Sequence, residues 1–436
     1  MVEASSPAAR PAPRLLRLAV DARAGEAAAV GWAFTYFFAL VGSFYVLRPI
    51  REEMGIRGGV NQLQWLFSAT FVVMLAAVPA YAALVARVPR SRAVPLVYAA
   101  FGLCLLAFHA AFRLELWPVA SARAFFVWLS VYNLFVVSVF WSLLADLFTS
   151  DQGKRLFGFV AGGGSAGALA GSAATGGLVG LIGIPNLLLV ALGLLVVAAL
   201  CAGRLAAWAR QEGRGVASAR EDPLGGSIWA GVTTVARSPY LLSIAGLTFL
   251  FTLGSTFLYF QQARIVADAI PDAHDRTRLF AAVDFAVNVG SFGLQSLATG
   301  RIAAAFGLRP ALTVVPLVTL AGFLVLAAAP GLWAIGVFQA LRRVAEYSLQ
   351  RPARDVLYTV VSREEKYKAK GFNDTVVYRG GDALAGWAFE GLRALGLGLT
   401  GLSLAAVPFA AASLGLGLWI AGQHARREAP AAEAGP

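Results

Sequence analysis

The chain is 436 residues long, 58% hydrophobic and 14% charged, with a formal net charge of +12 and a mean hydropathy of +0.69. Soluble domains hold about a quarter charged residues, so this balance excludes an ordinary soluble protein and points to a polytopic membrane protein. The surplus arginines sit mostly in short segments between apolar runs, which speaks against a nucleic-acid partner, and Cys104 and Cys201, each inside an apolar run, offer neither a disulfide framework nor a metal-ligand spacing.

In chain order, the first 27 residues are rich in Ala, Pro and Arg and lack a secretory-signal pattern. Residues 14–28 read as a short amphipathic helix in the membrane interface. Apolar stretches follow at 28–50, 61–86, 93–113, 121–147, 156–180 and 185–207. About 20 residues at 1.5 Å each suffice to cross the hydrocarbon core. A polar segment over 209–238 precedes six more stretches, at 239–265, 278–304, 310–329, 331–358, 370–393 and 399–422. The expectation is an all-α membrane protein of twelve transmembrane helices. It divides into a cytoplasmic segment 1–27, a six-helix bundle 28–208, a cytoplasmic linker 209–238, a second bundle 239–422 and a tail 423–436.

Lys/Arg placement orients the chain, since cytoplasmic loops carry the excess. With the N-terminus inside, the inner segments hold 24 basic residues and the outer ones 7. Both termini are then cytoplasmic, as an even number of spans requires.

The halves echo each other. Gly42-Ser43-Phe44-Tyr45 ahead of Arg51 resembles Gly254-Ser255-Thr256-Phe257 ahead of Arg264, and ARVPRSRAVPLV ends like FGLRPALTVVPLV. Phe157 and Ala168–Gly171 match Phe372 and Ala383–Gly386 at a constant offset of 215. Three echoes in one order indicate two parallel-related halves. This arrangement resembles the major facilitator superfamily. The stretches SFYVLRPIREEMG, VSVFWSLLADLFTSDQGKRLFGF, STFLYFQQARIV and SREEKYKAKGFNDTVVYRGGDAL resemble bacterial relatives of the plastid and intracellular-parasite ATP/ADP exchange carriers. That resemblance implies two pseudo-symmetric bundles and exchange of a nucleotide or another phosphorylated metabolite. Those carriers use intramembrane lysines; here Arg48 or Arg51 and Arg379 stand in the comparable places.

The candidate site is centred on residues 339–386. An ionisable side chain at bilayer depth costs about 2.5–3.5 kcal/mol on insertion scales and normally faces a bundle interior or a watery cavity. Gln339, Arg342, Arg343, Glu346, Gln350 and Arg354 fall within about 120° on one helix face. Asp284, Asn288, Ser291 and Gln295 line a second helix, and Thr375, Tyr378, Arg379 and Asp382 a third. In the first half Arg48, Asn133 and the stripe Ser138, Ser142 and Asp146 are the candidates. The residues taken as substrate-binding are Arg48, Asn133, Asn288, Arg342, Arg343, Glu346, Tyr378, Arg379 and Asp382. Helical spacing pairs Arg342 or Arg343 with Glu346 and Arg379 with Asp382. Asp284 has no cation within a turn, which makes it the proton-coupling candidate unless an arginine from another helix reaches it. Asp146, Asp151, Lys154 and Arg155, with Glu364, Lys366 and Lys368, form candidate cytoplasmic gates. The competing reading of all these charges is that ion pairs staple helices together.

Gly162–Gly167 matches a dinucleotide pattern, but no strand precedes it. Gly163, Gly167 and Gly171 read instead as a small-residue face for close helix packing. No nucleophile, metal cluster or His/acid constellation suggests an enzyme, and no cofactor is expected. The sequence reads as a monomeric secondary transporter of the bacterial inner membrane, its partners a small organic anion and the lipid bilayer. It works by alternating access, with exchange favoured. A proton-coupled carrier of another solute or drug, or a non-transporting scaffold or receptor, is the alternative.

Overall fold

The computed structural model describes residues 23, 26–88, 90–211 and 228–433. Most of the expected interfacial helix over 14–28 and most of the linker lie outside the described residues; residues 26–28 open the first helix. Among the described residues there are helices and no strand. The helices are α1 (Glu26–Arg57), α2 (Leu63–Arg87), α3 (Arg90–Arg113), α4 (Pro118–Leu147), α5 (Ser150–Gln211), α6 (Ile228–Arg237), α7 (Pro239–Ala269) and α8 (Ala273–Leu294). They continue with α9 (Gly300–Phe306), α10 (Leu308–Ala328), α11 (Leu332–Ala345), α12 (Arg351–Val356), α13 (Arg363–Phe372), α14 (Tyr378–Ala394) and α15 (Leu399–Glu433).

Eight of these, α1 to α5, α7, α10 and α15, are long and apolar enough to cross a membrane. The 62 residues of α5 amount to about 93 Å at 1.5 Å each, enough for two crossings. Its backbone breaks where a turn is needed: Gly183 adopts φ 77° and ψ 164°, with Pro185 just beyond. Three further passages are composites, each interrupted by a five-residue π turn. Gln295–Thr299 joins α8 to α9, Glu346–Gln350 joins α11 to α12, and Asn373–Val377 joins α13 to α14. Every expected apolar stretch thus falls on a helical passage, consistent with twelve spans. The expected linker contains one helix, α6, lying against α13.

Helix starts are capped by the residues the sequence supplies. Ser238 accepts the Leu241 amide, with Pro239 opening α7. Ser362 and Glu365 form a capping box at α13. Asp272 accepts the Asp275 amide at 2.9 Å, and that bond holds its carboxyl below the usual range.

Packing sorts the chain into two compact units. One holds Met1–Pro49, Ala80–Leu116 and Val131–Ala219; the other holds Ile50–Pro79, Trp117–Ser130 and Arg220–Pro436. This differs from a division at the linker, because one end each of α1, α2 and α4 packs with the second-half helices. Leu63, Leu66 and Phe126 enter the same apolar cluster as Phe257, Phe260, Phe323 and Phe389. In α1 and α2 the change of unit falls at Pro49 and Pro79, where a missing amide and ring clash weaken the helix.

The first unit includes a close seam of α1 on α5. An added Cβ would lie 2.5 Å from the Phe34 carbonyl at Gly163, 2.2 Å from the Phe38 carbonyl at Gly167 and 2.5 Å from the Gly42 carbonyl at Gly171. The glycine spacing therefore does what the sequence suggests: it admits a second backbone. Ser43 joins Tyr132 at 2.7 Å and donates to the Ala191 carbonyl at 2.9 Å, Thr175 donates to the Val46 carbonyl, and Tyr36 joins Tyr98. In the second unit α10 and α7 pack on α15, and α14 packs on α7.

The seam is testable. Gly167→Ala should lower thermal stability in detergent by about 1–3 kcal/mol, the usual cost of overpacking. Gly177, where a Cβ meets nothing within 4 Å, should accept alanine with a neutral to slightly stabilising effect. Equal tolerance at both positions, read from melting curves, would contradict the close approach.

Candidate functional site

The interior of the second unit carries buried arginines and acids, whereas the α1–α5 seam of the first joins through hydroxyls and backbone. α8 and α11 are the first pair to show it. Arg343 reaches Asp284 with Nη1–Oδ1 at 2.7 Å, both side chains nearly buried. The approach is close because Gly290 faces Val344, where a Cβ would sit 2.8 Å from Cγ2. Below the ion pair the π turns take over. A π turn leaves carbonyls outside the regular helical ladder, and side chains of the neighbouring helix bind them. Gln295 donates to the Tyr347 carbonyl at 3.0 Å, Thr299 to the Ser348 carbonyl at 3.2 Å, and Ser348 to the Ser291 carbonyl at 3.3 Å.

Arg342 is treated differently from its neighbour. It is only 1% exposed. Its Nε donates to Thr319 Oγ1 at 3.2 Å, Nη1 to Ser255 Oγ at 3.3 Å and Nη2 to the Phe251 carbonyl at 3.2 Å. The guanidinium also lies 4.6 Å from the Phe251 ring centroid. Thr319 can accept because its own hydrogen goes to the Val315 carbonyl. The spacing argument paired Arg342 or Arg343 with Glu346, and the geometry corrects it. Neutral oxygens hold Arg342, Asp284 holds Arg343, and Glu346 makes no ion pair with a described residue. It stays within electrostatic reach of Arg342.

α14 and α7 form the second polar contact. Arg379 and Asp382 approach at 3.6 Å, and Thr256 donates to the other carboxylate oxygen of Asp382 at 2.9 Å. Tyr378 sets its ring 6.4 Å from Phe251 and lies in the combined field of Asp382, Glu346, Arg379 and Arg354. Arg51, from the end of α1 that belongs to this unit, acts on Asp382 at longer range. The structure therefore gathers Asp284, Arg342, Arg343, Glu346, Tyr378, Arg379 and Asp382 in one unit, with Asn288 buried on α8. Arg48 and Asn133 belong to the other unit. There Arg48 lies over the Tyr45 ring at 5.6 Å and Asn133 is half-buried. Phe251, Ser255, Thr256 and Thr319 are site residues that the search for charged stripes misses. Their helices, α7 and α10, look apolar, and the only available signal was the Gly254–Phe257 echo.

One end of the second unit carries a separate ionic cluster. Glu53 of α1, fully buried, takes both Nε and Nη2 of Arg276 at 2.6 Å. The remaining arginine nitrogen donates to the Ile270 and Pro271 carbonyls. Arg264 bridges Asn61 Oδ1, at 2.9 Å, and Glu390, and Glu390 also accepts from Arg393. Arg51 stacks 3.8 Å from the Phe126 centroid. Trp65 meets Trp387 edge-on, and Trp387 donates to Ser68. The sequence reading placed gates only at the opposite end. There, in the first unit, Arg155 pairs with Asp151 at 3.3 Å and with Glu26 at 3.2 Å, while Lys154 is exposed and Asp146 half-buried. In the second unit Glu364 pairs with Lys368 and Lys370 with Asp355; Lys366 is half-buried on α13. The Lys368 contact holds the Glu364 carboxyl below its usual range.

No family model matches this chain, and neither does any curated protein. Solved structures do share its fold. One is a bacterial homolog to the human lysosomal transporter Spinster, in an inward-facing and unoccupied conformation: TM-score 0.56, 14% identity, 93% of this chain and 99% of that one. A second is an auto-inhibited peptide transporter of the POT family, at TM-score 0.63 and 13% identity over 92% of this chain and 97% of that one. A third is the nucleoside transporter NupG, at TM-score 0.60 and 12% identity over 91% of this chain and 98% of that one. The chain has the all-α, major-facilitator-like fold of a multi-pass membrane protein.

Proposed function

We propose that this protein is a secondary transporter that moves a small organic anion by alternating access, in exchange for a second anion. The observation that carries the reading is Arg342: a fully buried cation held by two hydroxyls and a carbonyl rather than by a carboxylate. Arg343 and Arg379 stand near it with one acid each. A buried cation without an ionised partner is costly, so an anion entering this region gains affinity from charge that the protein itself leaves uncompensated. The stapling reading accounts for Arg343 with Asp284, but not for Arg342. Phosphorylated or carboxylated metabolites fit this charge, and the motif resemblance to nucleotide exchange carriers falls within the same class.

Exchange is favoured over proton coupling because Arg343 engages Asp284. An acid in a close ion pair is poorly suited to releasing and taking up protons, and arginine itself does not deprotonate. The basic-residue count puts both termini in the cytoplasm, which makes the Glu53–Arg276 and Arg264–Glu390 cluster an outer latch, closed here. Opening it is the outward half of the cycle.

Three outcomes follow in reconstituted vesicles. Phosphate esters or dicarboxylates should raise the melting temperature of the purified protein, as any ligand of the folded state does, while neutral sugars and organic cations leave it unchanged; stabilisation by cations alone would sink the anion reading. Wild type should show anion counterflow without pH-driven uptake, and Asp284→Asn should abolish the counterflow, since it strands Arg343 and costs about 3–5 kcal/mol as a broken buried pair. Loss of pH-driven uptake with counterflow intact would instead mark a proton-coupled carrier. For the latch, a cysteine replacing buried Gln64 in a chain lacking Cys104 and Cys201 should react with an impermeant outside thiol reagent faster in the Glu53→Gln background than without it. Equal labelling rates would remove the latch role.

A further inference from the structure

We propose that Arg354 is a substrate-contacting residue of this site, carried into it by the π turn Glu346–Gln350, and that it makes the site select anions with two negative charges. The inference rests on the carrier reading above and adds the charge class of its substrate. Arg342 and Arg354 are twelve positions apart. On an uninterrupted α-helix that spacing turns them about 120° away from each other. A π turn absorbs one extra residue, which closes the offset to about 20° by the same arithmetic. The coordinates agree with the second figure. Arg342 and Arg354 lie over the same ring, 4.6 and 5.1 Å from the Phe251 centroid.

The two arginines differ in what else they do. Arg342 is buried, and each of its three nitrogens donates to a neutral acceptor. Arg354 is half-exposed and makes no hydrogen bond or ion pair with a described residue. Each lies in the field of the other, so the fold keeps two like charges about 10 Å apart or less around one aromatic ring. The acids within reach are few. Glu346 acts on Arg342 and on Tyr378, Asp374 lies within reach of Arg354, and Asp355 is engaged by Lys370. Arg379 of α14 lies over the Tyr378 ring at 5.5 Å and approaches Asp382 at 3.6 Å. A monoanion can answer one of these guanidinium groups. A phosphate ester or a dicarboxylate carries a second charge for the other guanidinium groups whose fields meet that of Arg354 at Tyr378 and Arg342, and arginine makes forked contacts with such oxygens.

The test uses the full-length protein in detergent, with thermal stabilisation as the measure of apparent affinity. Succinate is compared with butyrate, its near-isosteric monoacid, and glycerol phosphate is titrated from pH 5 to 8. Wild type should prefer succinate to butyrate by about tenfold or more. It should bind glycerol phosphate more tightly as pH rises through about 6, where the ester gains its second charge. Arg354→Gln should weaken succinate and dianionic phosphate by about tenfold, leave butyrate within about threefold, and flatten the phosphate pH profile. Equal weakening of succinate and butyrate, or no change in either, overturns the proposal while leaving an anion carrier in place. If Arg354→Gln does not fold, the wild-type phosphate profile decides, and a flat one overturns it. Failure of every anion to stabilise wild type removes the carrier reading itself, and this inference with it.

Discussion

The cost of holding a guanidinium inside an apolar bundle is the constraint on which the second unit depends. A charge taken out of bulk water must find protein oxygens. Arg343 finds the Asp284 carboxylate; Arg342 finds Thr319, Ser255 and the Phe251 carbonyl. These partners come from α8, α10 and α7, so two consecutive residues tie three other helices to α11. A bundle fastened in this way cannot slide one helix past another without breaking charge-assisted bonds. Its motions are then rigid-body ones, or they pass through the places where the helical ladder is already irregular.

Those irregular places are the three π turns, and all of them lie in the composite passages. At the α8–α11 contact Gln295 and Thr299 donate to the Tyr347 and Ser348 carbonyls, which lie in one of these turns. The π turns supply those acceptors and, in the same step, change which residues share a face. Where Asn373 opens the third π turn, its Nδ2 donates to the Tyr358 hydroxyl at 2.7 Å, and the chain then presents Tyr378, Arg379 and Asp382 towards α7. Position in the ladder, more than residue identity, brings these side chains to one place.

This also explains what was legible beforehand. Hydropathy runs locate every passage, because burying or solvating twenty residues in lipid leaves a long and simple signal. Asp284, Arg343, Arg379 and Asp382 were legible because charge within an apolar run is anomalous on its face. The partner of Asp284 was not: a contact between α8 and α11 has no fixed sequence spacing, and the local rule that offered Glu346 to Arg342 and Arg343 considers only one helix. Arg354 was placed on the right stripe, but at an angle that a regular helix would give. Gln350, on that same stripe, turns out to be fully buried. Thr256 and Thr319 escaped notice since a hydroxyl in an apolar helix usually bonds its own backbone, as both Thr248 and Thr252 do.

The internal repeat gives these differences a common frame. At the offset of 215, Gly163, Gly164, Gly167 and Gly171 correspond to Tyr378, Arg379, Asp382 and Gly386. In the first unit all four glycines lie against α1, and three of them would drive a Cβ into its backbone carbonyls. In the second unit the same register faces α7, where Asp382 takes the Thr256 hydroxyl and Gly386 still admits Phe260 at close range. One face has thus been used in two ways. With glycine it lets two backbones touch, held by close packing and by the Thr175 and Ser43 hydrogen bonds to carbonyls of the facing helix. With tyrosine, arginine and aspartate it puts an aromatic ring and an ion pair against the facing helix, where Thr256 answers Asp382. A glycine seam has one packed arrangement and nothing to offer a ligand, whereas a charged seam has partners to exchange. The related halves thus use one register in two ways, for close backbone packing in the first and for an ionic contact in the second.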